Sequence, residues 1–133
     1  MADGSELLTK YGIASANDDL AGMEALRHPD WEMVWPQTGE VVTGNEAYAE
    51  IRMHRPEGIP PRVRPLRLGG SGDCWWSEAG VEYGDGSRWL AVNFVELEDD
   101  LVRRERVYFM QPLPAPDWRA HLVRSETPAI SVT

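Results

Sequence analysis

The segment RWLAVNFVELEDDLVRRERVYFM, residues 88–110, decides the fold class of this chain. Two stretches of alternating apolar and polar residues, Arg88 to Leu97 and Leu101 to Met110, flank the acidic sequence Glu98-Asp99-Asp100. Such alternation is typical of strands that bury one face, and a short polar turn between two of them indicates a hairpin. The segment therefore predicts two long antiparallel strands that are neighbours in one sheet.

Further strands precede this hairpin along the chain. Val63 to Leu68 and Cys74 to Tyr83 alternate in the same way, and Gly84-Asp85-Gly86 is a hairpin signal because glycine and aspartate tolerate positive φ. Trp31 to Trp35 predicts a shorter aromatic strand, and Glu40 to Val42 predicts another. The second half of the chain is therefore expected to form an antiparallel meander.

The first half of the chain has helical spacing instead. Ser5 is the predicted N-cap of the first helix, and Thr43-Gly44-Asn45-Glu46 has the spacing of a capping box for the third. Apolar residues recur at intervals of three and four at Leu7, Leu8, Tyr11, Ala14, Leu20, Met23 and Leu26. Three helices followed by a sheet predict an α+β fold.

Length and charge limit the classes of function. The 133 residues predict a single domain, 1–133, with a loose tail from about residue 127. A net charge of −9 disfavours binding to nucleic acid or to a membrane surface. The single cysteine, Cys74, excludes an internal disulfide, and the sequence indicates neither a metal site nor a cofactor. With no signal peptide or membrane span in the sequence, we expect a cytoplasmic protein.

The order of these elements resembles the nuclear transport factor 2-like (NTF2-like) superfamily, and most closely its small SnoaL-like bacterial members. The motifs that carry the resemblance are Tyr11, Asp18 to Met23, Trp35-Pro36-Gln37-Thr38-Gly39-Glu40, Val42-Thr43-Gly44 and Glu105-Arg106-Val107-Tyr108-Phe109. The resemblance implies a cone in which three N-terminal helices pack on a curved antiparallel sheet and leave an apolar cavity. Members include ketosteroid isomerases, polyketide cyclases, an epoxide hydrolase, dehydratases and non-catalytic binding modules, so the fold leaves function open.

The resemblance to the steroid isomerases assigns three candidate positions. It puts the tyrosine that donates to the substrate oxygen at Tyr11 and the second donor at Asn93, while the general base falls on Trp35, which cannot accept a proton. Glu105 is the nearest carboxylate on the predicted inward face of its strand. If Glu105 faces the cavity it is a candidate for proton transfer. If it faces a neighbouring strand it is an ordinary ion-pair partner of an arginine.

The other predicted ligand-binding residues are Trp35, Tyr48, His54, Trp89, Val107 and Phe109. Each candidate also has a structural interpretation: Tyr11 and Asn93 as buried hydrogen-bonding groups, and His54 as a surface residue. Two functions fit the pattern. One is an enzyme of the isomerase, cyclase or hydrolase type that acts on a small apolar cyclic or aromatic molecule. The other is a non-catalytic, dimeric module that binds such a ligand or a protein. The open sheet and the resemblance predict a homodimer.

Overall fold

The computed structural model of the chain describes residues 3–56 and 58–126. The elements, in chain order, are α1 (Gly4–Ala16), α2 (Leu20–Ala25), β1 (Arg27–Trp35), β2 (Glu40–Thr43), α3 (Asn45–Met53), β3 (Arg62–Ser71), β4 (Cys74–Glu82), β5 (Arg88–Glu98), β6 (Leu101–Met110) and a 3-10 helix (Asp117–Leu122). The α+β class is confirmed. The three α-helices precede β3, and the 3-10 helix follows the sheet. The predicted tail lies outside the described residues.

The six strands form one curved, open sheet in the order β2-β1-β6-β5-β4-β3. Strands β3 to β6 form the predicted antiparallel meander. The prediction of a wholly antiparallel sheet was wrong, because β1 pairs with β6 in parallel. Parallel neighbours need a long connection, and here it is supplied by β2, α3 and the first three strands of the meander.

The helix starts differ in detail from the sequence prediction. The N-cap of α1 is Asp3 rather than Ser5, since the Asp3 carboxylate accepts the backbone N–H of Ser5 at 3.2 Å. The predicted capping box at α3 does not form: Gly44 occupies the N-cap with φ 87°, and no side chain caps that helix. The 3-10 helix begins at Asp117, directly after Pro116.

A β-bulge changes which residues of β6 face the core. Val95 pairs with Glu105, but Leu97 pairs with Val102, so Arg103 is an extra residue on β6. Val102 is therefore fully buried, whereas its neighbours Leu101 and Arg103 are only partly buried. After the bulge the predicted alternation holds, and Glu105 lies on the concave face.

Helix α1 covers part of this concave face. Its buried side chains are the four predicted ones: Leu7, Leu8, Tyr11 and Ala14. They belong to one core that includes Met33, Val95 and Val107 of the sheet. Within residues 3–56 and 58–126, no helix is long and apolar enough to cross a membrane.

Candidate functional site

A cavity of about 340 Å³ lies between the helices and the concave face of the sheet. That size is within the range of small-molecule sites. Much of its wall is apolar and is formed by residues such as Met33, Trp35, Val63, Val81, Val107 and Phe109. Polar residues also line it, among them Tyr11, Asn93 and Glu105.

The carboxylate of Glu105 is the most deeply buried charged group of the site, with 1% of the residue exposed. Its Oε2 accepts hydrogen bonds from the Tyr11 hydroxyl and from Trp31 Nε1, each at 2.8 Å. Its Oε1 accepts a bond from Asn93 Nδ2 at 2.7 Å. A buried carboxylate requires such donors, because burial removes the water that would otherwise solvate it.

Arg27 supplies the positive charge near this carboxylate. It is 6% exposed, and its Nε donates to the Tyr11 hydroxyl oxygen at 2.6 Å. Its guanidinium carbon lies 3.7 Å from the Trp31 ring centroid and 4.3 Å from that of Tyr48, so two aromatic faces contact the cation. One of its terminal nitrogens donates to Asn45 at 3.0 Å. Arg27 thereby connects β1 to both α1 and α3.

Tyr11 lies between the two charged groups. Its hydroxyl accepts from Arg27 and donates to Glu105, which orders the three residues into one chain of hydrogen bonds. Burial raises the pKa of Tyr11 well above its ordinary value of 10.0, and the negative charge of Glu105 raises it further. The Tyr11 phenol therefore keeps its proton at neutral pH.

Among the described residues of the cavity wall, three buried polar atoms have no hydrogen-bond partner: Asn93 Oδ1, Trp35 Nε1 and Arg55 Nε. The orientation of the Asn93 amide follows from its contact with Glu105. A carboxylate only accepts hydrogen bonds, so the NH₂ group of Asn93 faces Glu105 and the amide oxygen faces away. A buried polar atom without a partner costs about 1–3 kcal/mol. Asn93 Oδ1 and Trp35 Nε1 are therefore one acceptor and one donor that a bound molecule can satisfy.

No family model matches this sequence, and neither does any curated protein. Solved structures do match. An NTF2-like protein of unknown function from Burkholderia xenovorans LB400 superposes with a TM-score of 0.82 over 93% of this chain and 95% of that chain, at 29% identity. A proposed ketosteroid isomerase from Kribbella flavida DSM 17836 superposes with a TM-score of 0.82 over 96% and 92% of the two chains, at 25% identity.

The chain has the NTF2-like fold. A proposed polyketide cyclase from Sinorhizobium meliloti shares it, with a TM-score of 0.64 over 77% of this chain and 93% of that chain, at 17% identity. The resemblance to the superfamily expected from the sequence is confirmed.

The NTF2-like cavity gathers most of the residues singled out from the sequence. Trp35, Tyr48, Val107 and Phe109 line it together with Tyr11, Asn93 and Glu105. His54 and Trp89 are not among the described residues of its wall. His54 is exposed, and Trp89 packs edge-on against Tyr83 with a centroid distance of 6.2 Å.

Two members of the polar network, Arg27 and Trp31, were missed as site residues in the sequence. Arg27 was missed because the strand was predicted to begin at Trp31, whereas β1 begins at Arg27. Alternate residues of a strand face the same side, and residues 27, 31 and 33 are all odd-numbered. A strand predicted from residue 27 would therefore have placed Arg27 on the same face as Trp31 and Met33.

A second cluster with metal-ligand chemistry, His28, Glu98 and Asp99, includes a residue at the start of β1. His28 Nε2 is 2.9 Å from a Glu98 oxygen and 3.6 Å from an Asp99 oxygen. His28 Nδ1 accepts the backbone N–H of Asp30 at 3.0 Å, so the proton of a neutral imidazole is on Nε2. Nε2 then donates to Glu98, which satisfies the ring without an ion.

The buried charges are expected to depend on each other. Removing either charge, in Glu105→Gln or Arg27→Met, leaves the other buried without compensation and should lower the free energy of unfolding by about 3–5 kcal/mol. The double variant should lose at least about 1 kcal/mol less than the sum of the two single losses. Urea denaturation of the four proteins measures this coupling.

The matched control is the Arg104–Glu32 pair, which also joins β6 to β1 but is partly exposed. A double-mutant cycle with Arg104→Met and Glu32→Gln should give a coupling energy of about 0–1 kcal/mol. Equal coupling energies for the two pairs would contradict the assigned role of Arg27.

The raised pKa of Tyr11 predicts a loss of stability at alkaline pH. In the unfolded chain a tyrosine ionises near pH 10, so above that pH the folded state holds a proton that the unfolded state has lost. The free energy of unfolding therefore falls as the pH rises through about 10. Burial of Tyr83 raises its pKa in the same direction.

Tyr11→Phe should make this decline shallower between about pH 9 and pH 11, measured by urea denaturation. Tyr83→Phe is the control for the other shifted tyrosine. If the free energy of unfolding falls with pH as steeply in Tyr11→Phe as in the wild type, Tyr11 does not resist ionisation.

Proposed function

We propose that this NTF2-like protein binds a small, mainly apolar cyclic or aromatic molecule in its concave cavity. The observation that carries the proposal is the pairing of an apolar wall with two buried polar atoms, Asn93 Oδ1 and Trp35 Nε1, that lack partners. An apolar wall binds ring systems by removing their surface from water, and a few placed polar atoms orient them. A ligand hydroxyl can donate to Asn93 Oδ1 or accept from Trp35 Nε1.

Proton transfer by Glu105 is the second candidate function. It is favoured by the position of this carboxylate in the cavity wall. Against it, the Tyr11 hydroxyl and Asn93 Nδ2 both donate to Glu105, so the two donors expected for a substrate oxygen are already engaged. The hydrogen bonds therefore favour ligand binding over isomerase chemistry. Turnover of a ketosteroid, an epoxide or a polyketide-like compound that is lost in Tyr11→Phe would reverse this preference.

Naphthalene and 2-naphthol test ligand binding, because the two probes differ by one hydroxyl. Isothermal titration calorimetry of the wild type should give an affinity for 2-naphthol about tenfold higher than for naphthalene, because the hydroxyl can satisfy a buried group that naphthalene leaves without a partner. Trp35→Phe should reduce this difference, because it removes the Nε1 donor. Equal affinities for the two probes in the wild type would contradict the assigned polar contacts.

A second pair of variants locates the bound probe. Ala91 lines the cavity on β5, whereas its neighbour Val92 is on the other face of the strand. Ala91→Phe should fill the cavity and abolish binding of 2-naphthol, while Val92→Phe should retain it. Binding that survives Ala91→Phe would place the probe elsewhere.

We further propose that the protein is a homodimer that buries the convex face of β5 and β6. On this face Phe94 and Met110 are 51% and 44% exposed, and Phe94 packs edge-on against Tyr108. Exposed apolar side chains that adjoin one another favour association.

Light scattering should give a mass of about 30 kDa, twice the 15.0 kDa chain. Phe94→Glu should reduce it to the monomer mass, because the substitution would bury a charge in the interface. Ile59→Glu, at a loop residue that is 54% exposed, is the control and should remain dimeric. A monomer mass for the wild type would contradict the dimer.

A further inference from the structure

Arg55 contributes a positive charge to the cavity wall from the turn that follows α3. The residue is half-buried, and its Nε is buried without a hydrogen-bond partner. Its guanidinium carbon lies 4.7 Å from the ring centroid of Tyr83, which holds the side chain by a cation–π contact. Among residues 3–56 and 58–126, no carboxylate oxygen lies within 4.0 Å of this guanidinium.

The other two arginines of the described cavity wall are neutralised. Arg52 pairs with Asp18 at 2.6 Å, and Arg67 pairs with Glu78 at 2.5 Å. Arg55 therefore differs from them in having a buried donor and no carboxylate partner in the described chain. This is unexpected in a protein with a net charge of −9, where carboxylates outnumber cationic side chains.

A partly desolvated cation without a counter-charge is costly, and a bound anion offsets that cost. A guanidinium offers N–H groups in a plane that matches the two oxygens of a carboxylate. Here the buried Nε is one such donor, and the apolar wall beyond it suits a ring rather than a hydrated polar group. A phosphate, which needs several cationic or backbone donors, is less well matched, since Arg52 and Arg67 are already paired.

We propose that the ligand of this cavity is an anion, namely a small ring-bearing carboxylic acid whose carboxylate binds Arg55. This inference rests on the proposed function, because it specifies which ring molecules the cavity prefers. The ring contacts the apolar wall, and the carboxylate accepts from Arg55 Nε.

Two probes of the same shape separate charge from ring binding: 2-naphthoate, a carboxylate, and 2-acetonaphthone, a neutral methyl ketone. Isothermal titration calorimetry at pH 8 and low salt should show that the wild type binds 2-naphthoate at least tenfold more tightly. Arg55→Met should remove this preference and leave the affinity for 2-acetonaphthone within about threefold of the wild type. Arg55→Lys should retain part of the preference.

Arg62→Met is the matched control. Arg62 is mostly exposed, pairs with Glu82 at 3.6 Å and is not among the cavity-lining residues. Its substitution changes the net charge of the protein by the same amount as Arg55→Met. The preference for 2-naphthoate should therefore remain in Arg62→Met.

The outcomes distinguish this inference from the proposed function. If both probes bind the wild type with equal affinity, or if Arg55→Met keeps the preference for 2-naphthoate, the carboxylate assignment is overturned and ring binding stands. If neither probe binds the wild type, the inference and the proposed function are both overturned.

Discussion

The buried carboxylate of Glu105 is the group on which the arrangement of the concave face depends. Removed from water, it requires hydrogen-bond donors and a nearby positive charge. Its donors come from α1, β1 and β5, and Arg27 adds a link from β1 to α3. Because these partners belong to separate elements, the network specifies how the helices sit on the sheet. We interpret its contribution as one of specific arrangement, since buried charges that compensate each other often add little net stability.

The same network determines which polar atoms remain for a ligand. Tyr11 and the amide nitrogen of Asn93 are engaged with Glu105, so the donors expected from the steroid isomerases are not free. Among the described residues of the cavity wall, the unpartnered buried atoms are instead Asn93 Oδ1, Trp35 Nε1 and Arg55 Nε. Two of these are donors, and one of them is cationic. The proposed preference for a ring with an anionic group follows from this redistribution rather than from the fold.

Much of the fold was predictable because it depends on local periodicity. The inward face of α1 and the hairpins of the meander follow from spacing and turn residues that lie close together in the sequence. The parallel pairing of β1 with β6 was missed, since no turn connects these strands. The bulge at Arg103 was missed as well, because a single inserted residue shifts the alternation without a distinctive local motif.

For the site, the sequence by itself determined which side chains share one face of each element, and this made Tyr11, Asn93 and Glu105 candidates. Only the tertiary structure decided their partners. The Tyr11 hydroxyl bonds to Glu105 across 94 positions and to Arg27 across 16 positions. Contacts at such separations arise when distant elements pack together. Side-chain periodicity reports the face of a residue, whereas its hydrogen-bond partner depends on the register of strands and helices that only the folded chain brings together.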